Sequence, residues 1–392
     1  MENNASLLEW GYLSLNHKGE ELCGDHVASA KSEDGALTLV LADGLGSGVI
    51  ASILSTLTST MLSRMIEEGI AMEEAVATLV RTLPVAKDRG GVAYCTFDVL
   101  RVEKDFSATL YCFDNPEPIV LRKGKARNIE WKSLNLEGKS VAFASFYLDV
   151  EDEVTLFTDG AVYAGVGETL NFGWGREEIK EYLEGLWNPL TSAKNRATLL
   201  VDHCRLLYNS RPGDDVTALV LTRRKTSPLN IWVGPPQKKE DDEKLLKEFF
   251  SLPGPHVVCG GTSATIVAKY LGKEVIGSLD YEDSEVPPTS QIEGVDLVTE
   301  GIITLNKVLE ILQDYKGKNE LYFEWSFRQD GASRLSRMLI EEATSIHFRV
   351  GCAMNPAHQD SPALNIKMKM FVISSLAEEL RSLGKEVEVL YY

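Results

Sequence analysis

The chain predicts an α+β protein in two parts: antiparallel sheets covered by helices, then a separate α/β domain with a largely parallel sheet. Three observations carry this. Strand-like runs before residue 223 follow one another mostly in hairpin order, with helices inserted in pairs. After residue 230 strand-like and helical patterns alternate, the rhythm of parallel strands joined by crossover helices. Between the two lies Arg223-Arg-Lys-Thr-Ser-Pro-Leu-Asn230, a charged, proline-containing stretch of linker composition. The expected division is residues 1–223, a linker at 224–230, and a regulatory or ligand-binding domain at 231–392.

In the first part, Val27 to Ala42 reads as two strands joined by Asp34-Gly35, a dipeptide suited to a tight hairpin. Ile50, Ile53, Leu54, Leu57, Met61, Leu62 and Met65 recur at helical spacing between Gly48 and Gly69, and Met72 to Leu83 repeats the pattern. Strands are expected at Ala93 to Val102, Ala108 to Phe113, Ile119 to Leu121 and Val141 to Phe146, and a helix from Ala193 to Tyr208. In the second part, strands are expected at Asn230-Ile-Trp-Val-Gly, His256-Val-Val-Cys-Gly-Gly, Val295-Asp-Leu-Val, Glu320-Leu-Tyr-Phe-Glu-Trp and Ser345-Ile-His-Phe-Arg-Val. Helical patterns run from Asp241 to Phe250, Ala264 to Leu271, Leu305 to Tyr315, Gly331 to Ala343 and Ile366 to Leu383.

Composition narrows the class. A chain of 392 residues, 44% hydrophobic, fills two or three cores at the usual ~100 to 200 residues per domain. A net charge of -18 argues against a nucleic-acid or anionic-membrane surface, which needs clustered cations. The six cysteines are scattered without a Cys-x-x-Cys pair, as expected of reduced thiols. The first residues show no basic region followed by an apolar core, and no uninterrupted apolar stretch reaches the ~20 residues of a bilayer span. A cytoplasmic protein is expected.

The chemistry concentrates in aspartates that end or begin apolar runs: Leu37-Thr-Leu-Val-Leu-Ala-Asp43-Gly44, Val154-Thr-Leu-Phe-Thr-Asp159-Gly160 and Gly213-Asp214-Asp215-Val-Thr-Ala-Leu-Val-Leu221, with Asp25 upstream. Strand ends on a rigid sheet can hold acidic side chains in a fixed geometry. Carboxylates without Cys or His partners suit hard divalent cations, so a magnesium or manganese site is expected. A lone Asp-Gly means little, since Asp34-Gly35 and Asp330-Gly331 read as a turn and a helix approach. The combination is far more specific.

In order and spacing, Gly24-Asp25, Ala42-Asp43-Gly44-Leu-Gly46-Ser-Gly48, Thr158-Asp159-Gly160 and Gly213-Asp214-Asp215-Val-Thr217 resemble the metal-dependent (PPM-type) protein serine/threonine phosphatases, specifically the bacterial sporulation stage II E branch. The resemblance covers roughly residues 10–223 and extends to Asp114-Asn-Pro-Glu-Pro118, similar to a Gly-x-Pro-Pro turn of that branch. It implies an αββα sandwich with a dinuclear centre at one end. By position, Asp43 would bridge two Mn²⁺ or Mg²⁺ ions, with the Gly44 carbonyl as a further ligand, while Asp159 and Asp214 hold one ion and Asp25 the other. Two such ions sharing a water lower its pKa, supply the attacking hydroxide and neutralise the phosphoryl oxygens, so no protein nucleophile is needed. Eukaryotic members hold the substrate phosphate with an Arg before the first acidic ligand. This chain has none before Arg64, which leaves phosphate to the metals with Lys18 as helper. Asp215 is expected to support the ligands from behind or to serve the turn, as a solvated turn carboxylate rather than a direct metal ligand.

In the second part, Val258-Cys-Gly260-Gly261-Thr262-Ser263-Ala-Thr265 is a glycine-rich turn between strand and helix, where free N–H groups suit a small anionic ligand. It lacks the Gly-Lys-Ser/Thr ending of a phosphate loop and the third glycine of a dinucleotide fingerprint. Gly234-Pro-Pro-Gln-Lys-Lys239 follows the preceding strand and lines the same sheet edge. Cys352 and His358 could join Cys259 or His256 on a soft metal, but a buried thiol and a turn histidine are the expected reading.

Two functions of different class fit. The first is a phosphatase acting on phosphoserine or phosphothreonine of a bacterial regulatory protein; the resemblance suggests an anti-sigma-factor antagonist. The alternative is a catalytically weak sensor or scaffold that binds a signalling partner through the same fold. Intact Asp25, Asp43, Asp159 and Asp214 favour the enzyme.

Overall fold

A computed structural model of the chain describes residues 6–82, 85–86, 92–93, 95–136, 138–277, 286–353 and 362–392. It divides into two compact units, Ser6–Lys225 and Thr226–Tyr392.

The first unit runs β1 (Ser6–Leu15), β2 (Asp25–Lys31), β3 (Leu37–Gly44), α1 (Gly48–Glu67), α2 (Met72–Thr82), β4 (Val85–Ala86), β5 (Val92–Ala93), β6 (Cys95–Val102), β7 (Ser107–Phe113), β8 (Ile119–Arg122), β9 (Lys125–Ala126), β10 (Lys132–Leu136), β11 (Lys139–Tyr147), β12 (Asp152–Phe157), α3 (Asp159–Val162), α4 (Arg176–Leu186), α5 (Ala193–Leu207) and β13 (Val216–Lys225). One antiparallel sheet has the order β1-β13-β12-β8-β9 and the other β10-β11-β7-β6-β3-β2. Strand alternation explains the layers. On β3, Leu39 and Leu41 join Leu156, Leu219 and Leu221 in the core between the sheets. Val40 and Ala42 face the other way, toward Leu62 and Ile66 of α1 and Val76 and Leu79 of α2. On β13, Ala218 and Val220 meet Leu200, Val201 and Cys204 of α5. The αββα architecture expected above is the one observed.

Beyond the expected elements this unit contains β1, β10 and α4, together with the short β4, β9 and α3. A further difference concerns α1. Its buried side is Ala51, Ser55, Thr58, Ser59, Leu62, Ser63 and Ile66, whereas Ile50, Ile53 and Leu57 are exposed. The apolar periodicity found the helix but pointed to the wrong face. The cause is a close approach: a Cβ on Gly44 would lie 2.2 Å from the Ala51 carbonyl oxygen, so only small residues fit between helix and sheet. By length and mean hydropathy (1.4) α1 is apolar enough to cross a membrane.

The second unit runs β14 (Pro228–Val233), α6 (Asp242–Ser251), β15 (His256–Cys259), α7 (Gly261–Leu271), β16 (Ile276–Gly277), β17 (Ser290–Gln291), β18 (Leu297–Thr299), α8 (Ile302–Lys316), α9 (Tyr322–Trp325), α10 (Gly331–Arg337), β19 (Ser345–Val350), α11 (Pro362–Ser382) and β20 (Glu386–Tyr391). Its sheet has the order β16-β17-β18-β15-β14-β19-β20, parallel from β18 to β20 with an antiparallel margin of two short strands. The expected strand at 320–325 is instead α9. Asp314 accepts from the N–H groups of Glu320 (3.1 Å) and Leu321 (2.8 Å), turning the chain, and helical spacing brings Tyr322 edge-on to Trp325 in the interior. Strand β20 was not anticipated.

A buried ion pair fastens α5 to the sandwich. Arg196 donates to Glu153 of β12 and to the carbonyls of Asn188 (2.6 Å) and Thr191 (3.1 Å). Removing one partner strands the other charge in a medium that solvates it poorly. Arg196→Met is therefore expected to cost about 3–5 kcal/mol, read as an earlier urea midpoint of this unit. The Arg196→Met/Glu153→Leu double variant should recover much of that loss, and an undiminished loss would mean that the charges are not the cause.

Candidate metal centre

The predicted acidic residues meet at one end of the sandwich. Asp25 opens β2, Asp43 lies at the end of β3, and the antiparallel register sets them directly opposite each other. From the facing sheet, Asp159 follows β12 and Asp214 and Asp215 precede β13. The Thr158 N–H donates to the Thr217 carbonyl at 3.1 Å, so the two chain ends bearing these acids are tied together. The two sheets are joined by Thr158, whose Oγ1 donates to Asp25 Oδ2 at 2.9 Å and accepts from the Thr217 N–H at 2.9 Å. Neither Thr158 nor Thr217 was singled out from sequence as a positioning group, although both lie inside the quoted motifs.

Glycines let the backbones close in. A Cβ on Gly160 would lie 2.1 Å from the Asp215 carbonyl oxygen, and the Gly160 carbonyl accepts from the Tyr208 hydroxyl at 2.9 Å. Gly44, whose N–H donates to the Gly24 carbonyl at 3.2 Å, is pinned between β2 and α1. Asp215 departs from expectation. It is buried, not solvated, because Oδ1 accepts from the His17 N–H at 2.8 Å and the β1–β2 loop covers it.

Electrostatics give the cluster its character. Burial pushes the Asp43 carboxyl well above the usual carboxylate range, and the charges of Asp25, Asp159, Asp214 and Asp215 push it further. Asp25 is raised chiefly by burial, against the lowering effect of Thr217 and Thr158. Asp214 is raised to about 6, by burial first and then by the charge of Asp159. Asp159 is raised by burial as well. Among the described residues no Lys or Arg pairs with any of these five carboxyls, and Asp25 Oδ1 and Asp215 Oδ2 are buried without a hydrogen-bond partner.

This donor set fits hard divalent cations: all-oxygen, anionic, buried and short of counter-charge. Among the described residues no three Asp, Glu, His or Cys side chains already stand close enough to hold one ion between them. The set fits by chemistry and place, and the bound ions would have to draw it together. A thiol nucleophile is disfavoured. Burial raises Cys23, with Asp25 and Asp215 adding to it, and Cys95 is pushed up to about 12 by burial above all.

In the second unit, Gly260 has φ +111° and Gly261 opens α7, whose start has no side-chain cap. Thr262 lines a cavity and Ser263 is buried. His256 and Cys259 do not form a metal site: His256 Nε2 pairs with the Phe249 carbonyl at 2.9 Å and Cys259 is buried. Asn355 and His358 lie outside the described residues.

Residues 33–224 match the family model described as stage II sporulation protein E (SpoIIE). No curated protein matches the chain. Among solved structures, the chain is similar to the phosphatase domain of SpoIIE from Bacillus subtilis at 18% identity, TM-score 0.45, over 58% of this chain and 96% of that one. It is similar to the RsbU and RsbW domains of a Mycobacterium tuberculosis protein at 21% identity, TM-score 0.45, over 63% and 70% of the two chains. For RsbX, solved in complex with magnesium, the values are 18%, 0.39, 57% and 98%. The segment 33–224 is a domain of the stage II sporulation protein E family.

Proposed function

We propose that the first unit is a metal-dependent phosphoprotein phosphatase that hydrolyses phosphoserine or phosphothreonine on a regulatory protein, of which an anti-sigma-factor antagonist is one example. The observation that carries it is the convergence of five carboxyls from two sheets with no Lys or Arg paired to them among the described residues. Two Mn²⁺ or Mg²⁺ ions bound there supply an activated water and neutralise charge on the phosphoryl oxygens. Asp43, central to the cluster, would contact both ions, the Gly44 carbonyl and Asp25 would serve one side, and Asp159 and Asp214 the other. Thr158 fixes the orientation of Asp25, and Asp215 holds the β1–β2 loop through His17. The hydrogen-bonded ends of β12 and β13 keep Asp159 and Asp214 from drifting apart as charge changes. We place this chemistry in the cytoplasm, and none of the six thiols is paired.

Hydrolysis of an aryl phosphate should need added Mn²⁺ or Mg²⁺ and fall at least about a hundredfold in Asp43→Asn, since the shared charge serves both ions. Full turnover without metal, or in Asp43→Asn, would overturn the reading; metal binding without turnover would leave the scaffold alternative. Thr158→Val should weaken Mn²⁺ binding about 10–100-fold, as for other groups that orient a ligand, in an equilibrium titration that needs no substrate.

The raised carboxyls also fix a sign. In the metal-free chain the unfolded state ionises near the ordinary value of 3.8, whereas the folded state keeps its protons up to about 6 at Asp214 and higher at Asp43. The folded state binds more protons in that window, so stability from the cluster is present below it and lost as pH rises through it. Asp43→Asn should flatten this decline and raise the melting point of the metal-free protein at neutral pH. Mn²⁺ should stabilise the wild type more at pH about 8 than at pH about 5. A melting curve independent of the substitution at neutral pH would contradict the account.

A further inference from the structure

The parallel strands of the second unit, taken in chain order, are β14, β15, β18, β19 and β20, and their spatial order is third, second, first, fourth, fifth. Connections therefore diverge between β14 and β19, and in such sheets a crevice opens beyond the carboxyl ends of the strands where they part. A cavity of about 860 Å³ lies at this place, with Pro235, Thr262, Ile266, Cys352 and Ile366 among its walls. That is within the range of small-molecule sites and far larger than one inorganic anion requires.

Three polar groups stand at the cavity: Asp242 and the start of α7 at Thr262 are on its wall, and Lys369 lies beside it. Lys369 lies one helical turn after Ile366, and its ammonium donates to the Gly351 carbonyl after β19; a Cβ on Gly234, after β14, would sit 2.7 Å from Nζ. The cation thus stands at the point of divergence, and among the described residues it has no carboxylate partner. Burial holds its pKa below the ordinary lysine value. The second group is the start of α7, an 11-residue helix whose first N–H groups carry no side-chain cap. There Ser263 is fully buried, its Oγ has no partner, and it lies beside Gly260, where a Cβ would be 3.4 Å away. The third is Asp242, on the wall, with Oδ1 buried and unpartnered.

We propose that this crevice binds a phosphorylated metabolite of mononucleotide size, its phosphate taken by Lys369, the start of α7 and Ser263. An ammonium held only by a carbonyl, with no carboxylate partner among the described residues, and a helix start both call for an anion. Asp242 calls for a hydroxyl or amino donor elsewhere on the same molecule. The proline, isoleucine and cysteine surfaces between them suit a flat apolar body. None of this depends on the first unit being a phosphatase.

The test is calorimetric titration of the full chain with AMP, GMP, CMP, UMP, ribose 5-phosphate, inorganic phosphate and adenosine. At least one of the five organic phosphates should bind about tenfold or more tightly than either inorganic phosphate or adenosine. Gly261→Val, at a position where an added Cβ meets nothing within 4 Å, should weaken that binding about tenfold or more by blocking the helix start. Lys369→Met, which keeps the stem and removes the charge, should do the same, so that one variant stands if the other misfolds. Binding of none of the five, preference for adenosine or inorganic phosphate, or unchanged affinity in both folded variants would overturn the proposal.

Discussion

Like charges held at close quarters by backbone register dominate the first unit. The β2–β3 ladder sets Asp25 against Asp43, and the joined ends of β12 and β13 deliver Asp159, Asp214 and Asp215 from the facing sheet. Two unit charges 4 Å apart repel by about 4 kcal/mol at an effective dielectric of ~20, so in the absence of cations Asp25, Asp43, Asp159 and Asp214 hold their protons to higher pH than free carboxyls do. Protons or divalent ions must complete the arrangement. The sandwich core supplies the rigidity that keeps the carboxyls from relaxing away: Leu39, Leu41, Leu156, Leu219 and Leu221 lie on the very strands whose ends carry the acids.

The residues of the site were legible because each sits in a local pattern, an apolar run that ends in Asp or begins after it. What surrounds them was not. Asp215 is buried by a loop whose contact, the His17 N–H, is distant in sequence and carries no side-chain signature. Strand β1 pairs along its whole length with β13, but Ser6–Leu15 shows no clean alternation, and its partner is at the far end of the unit. Helix α1 was placed correctly and faced wrongly, because the requirement for small residues comes from Gly44 on the neighbouring sheet and not from the helix itself.

In the second unit the alternation of elements showed a parallel sheet, whereas strand order was hidden. Order depends on which side each crossover takes, and a helix such as α8 or α11 has much the same pattern on either. Residues 320–325 misled for a related reason: aromatic residues are common in strands, yet Tyr322 and Trp325 bury equally well three apart on a helical turn anchored by Asp314.

The carboxyl cluster also bears on how this sequence can vary. Asp25, Asp43, Asp159 or Asp214 exchanged for a neutral residue of similar shape would relieve repulsion and desolvation, so sequence drift under selection for folding alone would tend to erase the cluster one member at a time. Stability therefore offers no reason to keep Asp25, Asp43, Asp159 and Asp214 together. Their joint presence is a lasting expense to the fold, and what maintains it has to be sought in use.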